Sequence, residues 1–321
     1  MIETLRNAWK IPELRKKLMF TALILLLYRI GNVIPVPFID VTVLASYFES
    51  VLSETILGLY NAMSGSAFSN ATVLALSIQP YINASIIIQL LTVAIPALER
   101  MAKEEGEEGK KKINVITRCT TVGLGLIMGW AFYSMLNSYG IITKAGFLPG
   151  LVIVLAFTAG SAVVMWLGEQ INEYGIGNGI SMILFANIIS SLPAGLNTML
   201  HMGWWAILVA IVMAALVLFI IFVNDAERRI PIQYAKRVVG RKIYGGQSTN
   251  LPIKVSMSGV MPVIFAQSIC SFPATICAFF GINNQSGILW YDVFFSNTSW
   301  FYAVMYGIMI FFFGWFYAAS Q

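Results

Sequence analysis

Eight long apolar runs constrain the fold of this chain more than any other sequence feature. A bilayer core about 30 Å thick is crossed by roughly 20 apolar residues in a helix, and in hydrocarbon only helices or closed barrels satisfy the backbone. The chain is 58% hydrophobic and only 11% charged, whereas soluble domains carry about 25% charged residues. The predicted spans are 18–34, 72–97, 120–136, 151–167, 180–196, 204–223, 258–280 and 300–319.

The basic residues predict how these spans are oriented. If the spans alternate in direction, every Lys and Arg except Arg29 and Lys144 falls on one side of the membrane. Loops rich in Lys and Arg stay in the cytoplasm. We therefore predict a multi-pass membrane protein whose N-terminus is cytoplasmic. Arg29 lies within the first span and must pair or reach the interface.

The hydrophilic segments between the spans have different predicted structures. Residues 99–118 carry a dense run of charges and are predicted to be a solvated loop. Residues 168–179 are predicted to form a tight polar turn. Residues 224–257 are predicted to form a protruding hairpin, because residues 230–234 alternate in polarity and a Gly pair follows Tyr244.

The segment 77–92, in the second span, is too polar for a helix facing lipid. Two explanations are open: the segment lines a membrane cavity, or it is a Pro-kinked helix whose amides bind neighbouring helices. Both predict a helix broken near Pro80. The polar residues that flank Pro80 are Gln79, Asn83, Ser85 and Gln89.

A partial copy of this segment occurs at residues 259–268. Aligning Pro80 with Pro262 also aligns Ile82 with Ile264. The two segments belong to the second and seventh spans, which run in opposite directions in the predicted topology. Proline-interrupted segments at matching positions of two halves indicate an inverted repeat around a central site. A full repeat of five helices each needs ten spans, and about eight are present.

The function classes compatible with this pattern are few. His201 is the only histidine and no Cys-x-x-Cys pair is present, so we predict no metal site, no cofactor and no enzyme activity. A secondary transporter for a small solute also uses inverted repeats and broken helices. Ion coupling needs charged residues at depth, and Arg29 is the only one deep within a span. A channel driven by a partner is the alternative.

Four motifs together resemble the SecY family, the channel subunits of the bacterial general protein-secretion translocon. The motifs, in this order along the chain, are Gln79–Thr92, Trp166–Glu173, Gly175–Ser181 and Tyr244–Pro252. The resemblance runs from the basic N-terminus to the end of the chain. It implies a channel in the bacterial cytoplasmic membrane that translocates unfolded secretory polypeptides and releases transmembrane segments sideways into the bilayer.

The resemblance also implies an all-α polytopic fold of two pseudo-symmetric, inverted five-helix halves around an hourglass pore. Residues 1–200 would hold helices 1–5 and a plug, and residues 201–321 would hold helices 6–8 with the basic loop 224–257. The family has ten spans, so this chain is expected to end in the eighth.

The site residues that the resemblance implies fall into four sets. The pore ring would be Ile78, Ile82, Ile180, Leu184 and Ile264. The plug would include Asn61, Ser64, Gly65, Ser66, Ala67 and Phe68. The lateral gate would be lined by Ser85, Gln89, Thr92, Gln267 and Ser268. The docking surface for the ribosome or the SecA motor would include Arg229, Arg237, Arg241 and Lys242. The implied partners are SecE, SecG, SecA, the ribosome, signal peptides with nascent chains, and membrane lipids.

Overall fold

The computed structural model describes residues 9–48, 56–144, 146–232, 237–239, 242–244, 249–254, 259, 261–279 and 299–320. Helices dominate this part of the chain, with four short strands between α9 and α10. The elements are α1 Pro12–Gly31, α2 Val41–Tyr47, α3 Ile56–Ser64, α4 Gln79–Ala94, α5 Pro96–Lys103, α6 Gly106–Ser138, α7 Phe147–Tyr174, α8 Gly179–His201, α9 Trp205–Asp225, β1 Glu227–Ile232, β2 Arg237–Val239, β3 Lys242–Tyr244, β4 Thr249–Lys254, α10 Met261–Phe279 and α11 Trp300–Ser320.

Each of the eight predicted spans coincides with one of these helices. Within the described residues, α6, α7, α8, α9 and α11 are long and apolar enough to cross a membrane, and the bent pair of α4 and α5 makes a sixth. Helix α1, which coincides with the first predicted span, is too polar to be included among these helices, because it carries five charged residues. In α10 the apolar helical part is Met261–Cys270, which is shorter than a membrane-spanning helix. The polytopic helical fold is confirmed.

The sequence predicts a helix broken near Pro80, but Pro80 does not interrupt a helix in the structure. It lies in the first turn of α4, where a proline is tolerated because the first N–H groups of a helix have no intrahelical partner. The chain bends instead by 103° between α4 and α5, at Ile95 and Pro96. The residue before a proline disfavours helical angles, and Ile95 is extended (ψ 112°).

The two polar connections are more helical than the sequence predicted. Most of residues 99–118 lies in α5 and the first turns of α6, where the charged side chains are exposed and Lys103 pairs with Glu99 at 2.8 Å. Residues 168–174 continue α7, so only residues 175–178 separate it from α8. The prediction of a loop and of a twelve-residue turn was therefore wrong. Glu and Lys are good helix formers, which explains the first error.

The predicted hairpin in the largest polar connection is confirmed. Strand β1 pairs with β4 in antiparallel register, with Ile230 opposite Leu251, and β2 pairs with β3. In sequence, the β2–β3 ladder lies between β1 and β4, and these four strands are called the hairpin arm below.

The chain forms two compact units. The first contains 1–194 with 267–305, and its core joins the connection between α1 and α4 to α6 and α7. Short helix α2 begins there, capped by Asp40, whose carboxylate accepts hydrogen bonds from Thr42 and Val43. The Thr42 hydroxyl also donates to this carboxylate. That bond is the largest cause of a pKa of Asp40 below its ordinary value, and the backbone bonds add to it. Buried residues of this core include Leu44, Phe48, Phe68, Phe132, Leu136 and Phe157.

The second unit contains 195–266 with 306–321. Within it, the Phe265 ring lies 5.9 Å from Phe313 and 5.2 Å from Tyr317, which ties α10 to α11. No residue of α9 is buried. A helix that is apolar on all sides and uncovered by protein suits a lipid environment.

Candidate functional site

Residues 61–70, referred to below as segment 61–70, comprise the last turn of α3 and the compact turns that follow it. Gly65 and Ser66 both have left-handed backbone angles (φ 66° and 67°). The chain then folds back on itself: Asn61 accepts hydrogen bonds from Ser66 N through its carbonyl (3.0 Å) and from Ser69 N through Oδ1 (2.9 Å). The predicted plug residues therefore lie together as one local unit rather than in an extended loop.

Three consecutive main-chain carbonyls at the end of α3 each accept a hydrogen bond from a distant side chain. The last carbonyls of a helix have no intrahelical partner and carry partial negative charge, so amide and cationic donors suit them. Arg29, Asn32 and Asn187, called the carbonyl clamp below, supply those donors. The bonds run from Asn187 Nδ2 to Met63 O (2.7 Å), from Asn32 Nδ2 to Ser64 O (3.4 Å) and from Arg29 Nη1 to Gly65 O (3.4 Å).

Asn187 is the most enclosed member of the carbonyl clamp, with 0% of its surface exposed. Its Nδ2 also donates to Ser77 Oγ (3.3 Å), which lies 3.2 Å from the Tyr28 hydroxyl. Ser77 is itself in a left-handed conformation (φ 49°), which costs free energy for a residue other than glycine. This network therefore fixes the turn before α4 as well as segment 61–70.

The Met63 side chain links segment 61–70 to two further helices. Its sulfur accepts hydrogen bonds from Gln79 Nε2 (3.3 Å) and Gln267 Nε2 (2.9 Å). Gln79 begins α4, and Gln267 lies on the part of α10 that belongs to the first unit. The predicted gate residue Gln267 thus reaches the predicted plug.

Gly65 lies where a side chain has no room. A Cβ there would lie 2.9 Å from Ser190 Oγ, 3.0 Å from Asn187 Oδ1 and 3.1 Å from Arg29 Nη1. The same side of the segment borders a cavity of about 480 Å³, whose lining includes Arg29, Asn32 and Ser190. The fit of the carbonyl clamp depends on a glycine at this position.

Phe68 anchors the other end of segment 61–70 in the apolar core. It is 4% exposed, and its ring stacks on Phe132 of α6 with 4.2 Å between centroids. The Tyr60 and Phe48 rings lie edge-on at 5.6 and 6.2 Å. Segment 61–70 is therefore held by polar contacts at one end and aromatic contacts at the other.

The predicted pore-ring residues of the first unit are apolar and enclosed, except that Ile180 is only half-buried. Ile78 precedes α4 and is fully buried, and its carbonyl accepts the Ile82 N–H at 3.0 Å. Ile82 is 5% and Leu184 9% exposed. Ile264 is half-buried and belongs to the second unit. Their joint role as a ring stays a prediction.

The other predicted gate residues lie along α4 and α10. Ser85, Gln89 and Thr92 are half-buried on α4, and the Thr92 hydroxyl donates to the Gln89 carbonyl at 2.6 Å. Ser268 is buried on α10. The spacing of residues 85, 89 and 92 places them on one helix face, and their role as a gate lining stays a prediction.

The motif at residues 175–181 has a structural explanation. Asn178 caps α8 by accepting from Ile180 N (3.0 Å), and Asn172 Oδ1 accepts from Gly179 N (2.7 Å). A Cβ on Gly179 would overlap the Gly168 carbonyl, so α7 and α8 meet through glycines. This motif fixes the α7–α8 junction and, with it, the position of Asn187.

The predicted docking residues lie on the hairpin arm. Arg229 is exposed on β1, opposite Pro252. Arg237 on β2 pairs with Tyr244, and Lys242 on β3 pairs with Val239. Arg241 lies outside the described residues. The placement of Arg229, Arg237 and Lys242 on these strands is compatible with docking, which stays a prediction.

Comparison with known proteins identifies the family. A family model described as SecY matches residues 72–321. The curated Protein translocase subunit SecY of Escherichia coli (strain K12) is 41% identical over 321 residues, covering 96% of this chain and 72% of the relative. The corresponding protein of Buchnera aphidicola subsp. Acyrthosiphon kondoi is also 41% identical, covering 96% and 89%. This chain belongs to the SecY family.

The SecY fold is also found among solved structures. "The structure of a protein conducting channel" matches with a TM-score of 0.58 and 20% identity, over 83% of this chain and 59% of that chain. "Sec61 in the Canine ribosome-channel complex from the endoplasmic reticulum" matches with a TM-score of 0.57 and 19% identity, over the same shares. At these identities the matches support the SecY-type fold.

Sequence reasoning found the SecY motifs but missed most of the contacts around segment 61–70. It noted that Arg29 needs a partner, without identifying the Gly65 carbonyl. Asn32 and Asn187 were not recognised, although each is a polar residue in or directly beside a predicted span. Such residues are expected to have a partner in protein, so this signal was available for both.

Proposed function

We propose that this chain conducts unfolded secretory polypeptides across the cytoplasmic membrane of a bacterium, as the channel subunit of a Sec translocase. The observation that carries this proposal is its 41% identity to curated SecY subunits over 96% of its length. Among the described residues, five helices of membrane length, or six with the bent pair, support a membrane location. The cytoplasmic N-terminus is proposed from the distribution of Lys and Arg.

Segment 61–70 is proposed to close the pore in the resting channel. Its contacts are numerous but individually weak, since a typical hydrogen bond contributes about 1 kcal/mol net. Such a segment can be held firmly by several bonds and still leave when they break together. The small residues Ser64, Gly65, Ser66 and Ala67 leave little side-chain bulk to withdraw.

The aliphatic ring is proposed to seal the pore around a moving chain. Ile78 and Ile82 are one turn apart, as are Ile180 and Leu184, so each pair presents one helix face; Ile264 completes the proposed set. Apolar constrictions exclude water and ions by dewetting. Branched aliphatic side chains bind no particular substrate group, which suits a conduit for many sequences.

The polar faces of α4 and α10 are proposed to form the lateral exit for hydrophobic segments. Gln267 contacts Met63 in segment 61–70, and its neighbour Ser268 is buried on the same helix. Movement of α10 away from α4 would therefore break a bond to segment 61–70. This contact supports a mechanism in which opening towards lipid loosens the plug.

The hairpin arm is proposed to dock the driving partner. SecA would supply energy from ATP, and the ribosome would push a nascent chain; SecE and SecG are the proposed companion subunits. Basic side chains suit the phosphates of ribosomal RNA. Arg229 is exposed there, and Arg237, Arg241 and Lys242 are proposed to act with it.

Reconstituted translocation tests this function. The chain would be placed in proteoliposomes with SecE and SecG, and SecA, ATP and an unfolded precursor with a signal sequence would be added outside. We expect a protease-protected precursor that requires both ATP and the signal sequence. Vesicles that take up no precursor, but accumulate a small solute down an ion gradient, would favour the transporter alternative instead.

A further inference from the structure

The thioether of Met63 lies between two amide side chains. Its sulfur accepts hydrogen bonds from Gln79 Nε2 at 3.3 Å and from Gln267 Nε2 at 2.9 Å, and all three residues belong to the first compact unit. The main-chain carbonyl of Met63 is held at the same time by Asn187 Nδ2 at 2.7 Å. The sulfur is therefore kept within reach of both amides. A thioether sulfur is a weak hydrogen-bond acceptor, so these two bonds stabilise the contact only slightly.

The surroundings of Met63 differ from those of the methionines in the core. Met128 and Met135 are buried in the apolar core of the first unit. Met63 is half-buried, and Ser66 and Asn70 of the same segment are exposed. Water and molecules of similar size, such as hydrogen peroxide, therefore come close to Met63. A polar group added to its sulfur would also meet hydrogen-bond donors, whereas the same change in an apolar core leaves a polar group unpaired.

Oxidation of the sulfur replaces this weak acceptor by a strong one. A sulfur lone pair attacks one oxygen of hydrogen peroxide, the O–O bond breaks, and the departing hydroxide takes the proton of the transferred hydroxyl to become water. The sulfur loses two electrons and keeps one oxygen as a sulfoxide. Amide donors beside the sulfur stabilise this oxygen as it gains negative charge. Gln267 is half-buried, so its side chain can withdraw to make room for the oxygen and still donate to it.

We propose that Met63 is a site of reversible sulfoxidation by peroxides, and that its sulfoxide holds segment 61–70 to Gln79 and Gln267 more tightly than the thioether does. The effect on the channel rests on the proposed function, in which segment 61–70 closes the pore. In the proposed topology this segment lies on the side away from the cytoplasm, where conditions are oxidising. A methionine sulfoxide reductase returns the sulfoxide to the thioether. The oxidised channel therefore opens more slowly, and reduction restores it.

The test treats the reconstituted translocase with hydrogen peroxide, which is removed with catalase before SecA, ATP and precursor are added. The mass of the peptide that contains Met63 reports sulfoxidation, and the initial rate of precursor uptake reports opening. We expect one added oxygen on Met63 and an uptake rate lowered about five-fold, roughly the factor that one further net hydrogen bond supplies. Incubation with methionine sulfoxide reductase and dithiothreitol should restore the rate.

Three variants separate Met63 from the other methionines of the translocase, each compared with its own untreated rate. Met63→Leu keeps a similar volume but cannot be oxidised, so peroxide should leave its rate unchanged. Met128→Leu, at a buried position of α6, should respond to peroxide like the unmodified chain. Gln267→Leu should still be oxidised at Met63, but its rate should fall less, because one amide donor is missing.

Different results would overturn the two parts of the proposal. If Met63 gains no oxygen while the exposed Met19 and Met202 are oxidised, Met63 is not a modification site. If Met63→Leu slows as much as the unmodified chain, or if the oxidised channel leaks more ions, the sulfoxide does not tighten segment 61–70. Untreated vesicles that take up no precursor would contradict the channel function and, with it, the effect on opening. The mass measurement would still decide whether Met63 is oxidised.

Discussion

The Asn187 side chain donates a 2.7 Å hydrogen bond to the main-chain carbonyl of Met63, across 124 positions of sequence. Asn187 is fully buried and Met63 is half-buried, and Asn187 Oδ1 has no partner among the described residues. The bond therefore matters more than an exposed one, because a carbonyl left unpaired inside protein costs about 1–3 kcal/mol. It joins the proposed plug to α8, the helix that carries Ile180 and Leu184.

Replacing Asn187 should loosen segment 61–70. Asn187→Leu keeps a similar volume but leaves Met63 O and Ser77 Oγ without this donor, so we expect a loss of about 1–3 kcal/mol of closed-state stability. The measurement is ion conductance of the closed channel in planar bilayers, expected to rise at least several-fold. Thr158→Val is the control, since Thr158 is also buried and its hydroxyl donates to Val154 O within the same helix, α7. Equal conductance in both variants would contradict the proposal that Asn187 stabilises the closed channel.

Gly65→Ala should also destabilise the closed channel, because it disturbs the contact between segment 61–70 and Asn187 from the side of the segment. The added Cβ would crowd Asn187, Ser190 and Arg29, in addition to straining a backbone with φ 66°. Gly140→Ala is the matched control, because Gly140 has the same φ of 66° and no atom near its Cβ position. We expect leak and translocation of precursors with defective signal sequences for Gly65→Ala only. The same phenotype in both would attribute it to backbone strain.

The ring predicts a separate conductance phenotype. Ile82→Ser and Ile264→Ser should each raise ion leakage, because a hydroxyl stabilises water at a constriction that apolar side chains keep dry. Ile86→Ser supplies the control: Ile86 is buried on the same helix, one turn further on, and is outside the proposed ring. Leakage that does not distinguish Ile82→Ser from Ile86→Ser would contradict the ring assignment.

Docking through the hairpin arm predicts a salt-dependent loss of partner binding. Charge reversal at Arg229, Arg237 and Lys242 should weaken ribosome binding in co-sedimentation by tenfold or more at low salt, with a smaller effect at high salt, because phosphate contacts release counterions. Lys111→Glu, exposed on α6, is the control. Membrane insertion should be unchanged in both. Unaltered ribosome and SecA binding would mean that these charges only set topology.

The sequence was sufficient to predict the membrane helices, because an apolar run of this length can adopt few structures other than a helix in lipid. It was less reliable at Pro80, since a proline suits either a kink or a first helical turn. The charged segment 99–118 was misjudged for a related reason: its Glu and Lys residues favour solvent and helix equally. The local sequence alone therefore does not decide whether Pro80 kinks or begins a helix, or whether residues 99–118 are helical; the tertiary context decides both.

The carbonyl clamp could not be derived from sequence pattern. Its acceptors are main-chain carbonyls, which every residue has, and its donors Asn32 and Asn187 lie on elements far apart in the chain. What the sequence could supply was a list of polar residues in spans that need partners. Which carbonyl each one meets depends on how α1, α3 and α8 approach one another.

The central claim, that a polypeptide passes along α4 and displaces segment 61–70, is tested most directly by crosslinking. A photoreactive amino acid would be placed in turn at residues 78, 82 and 85, and a secretory chain would be stalled during translocation in the assembled translocase. We predict crosslinks from all three positions to the stalled chain, together with loss of a Met63 to Gln267 crosslink that is present at rest. Absence of crosslinks to a chain shown by protease protection to be in transit would contradict the account.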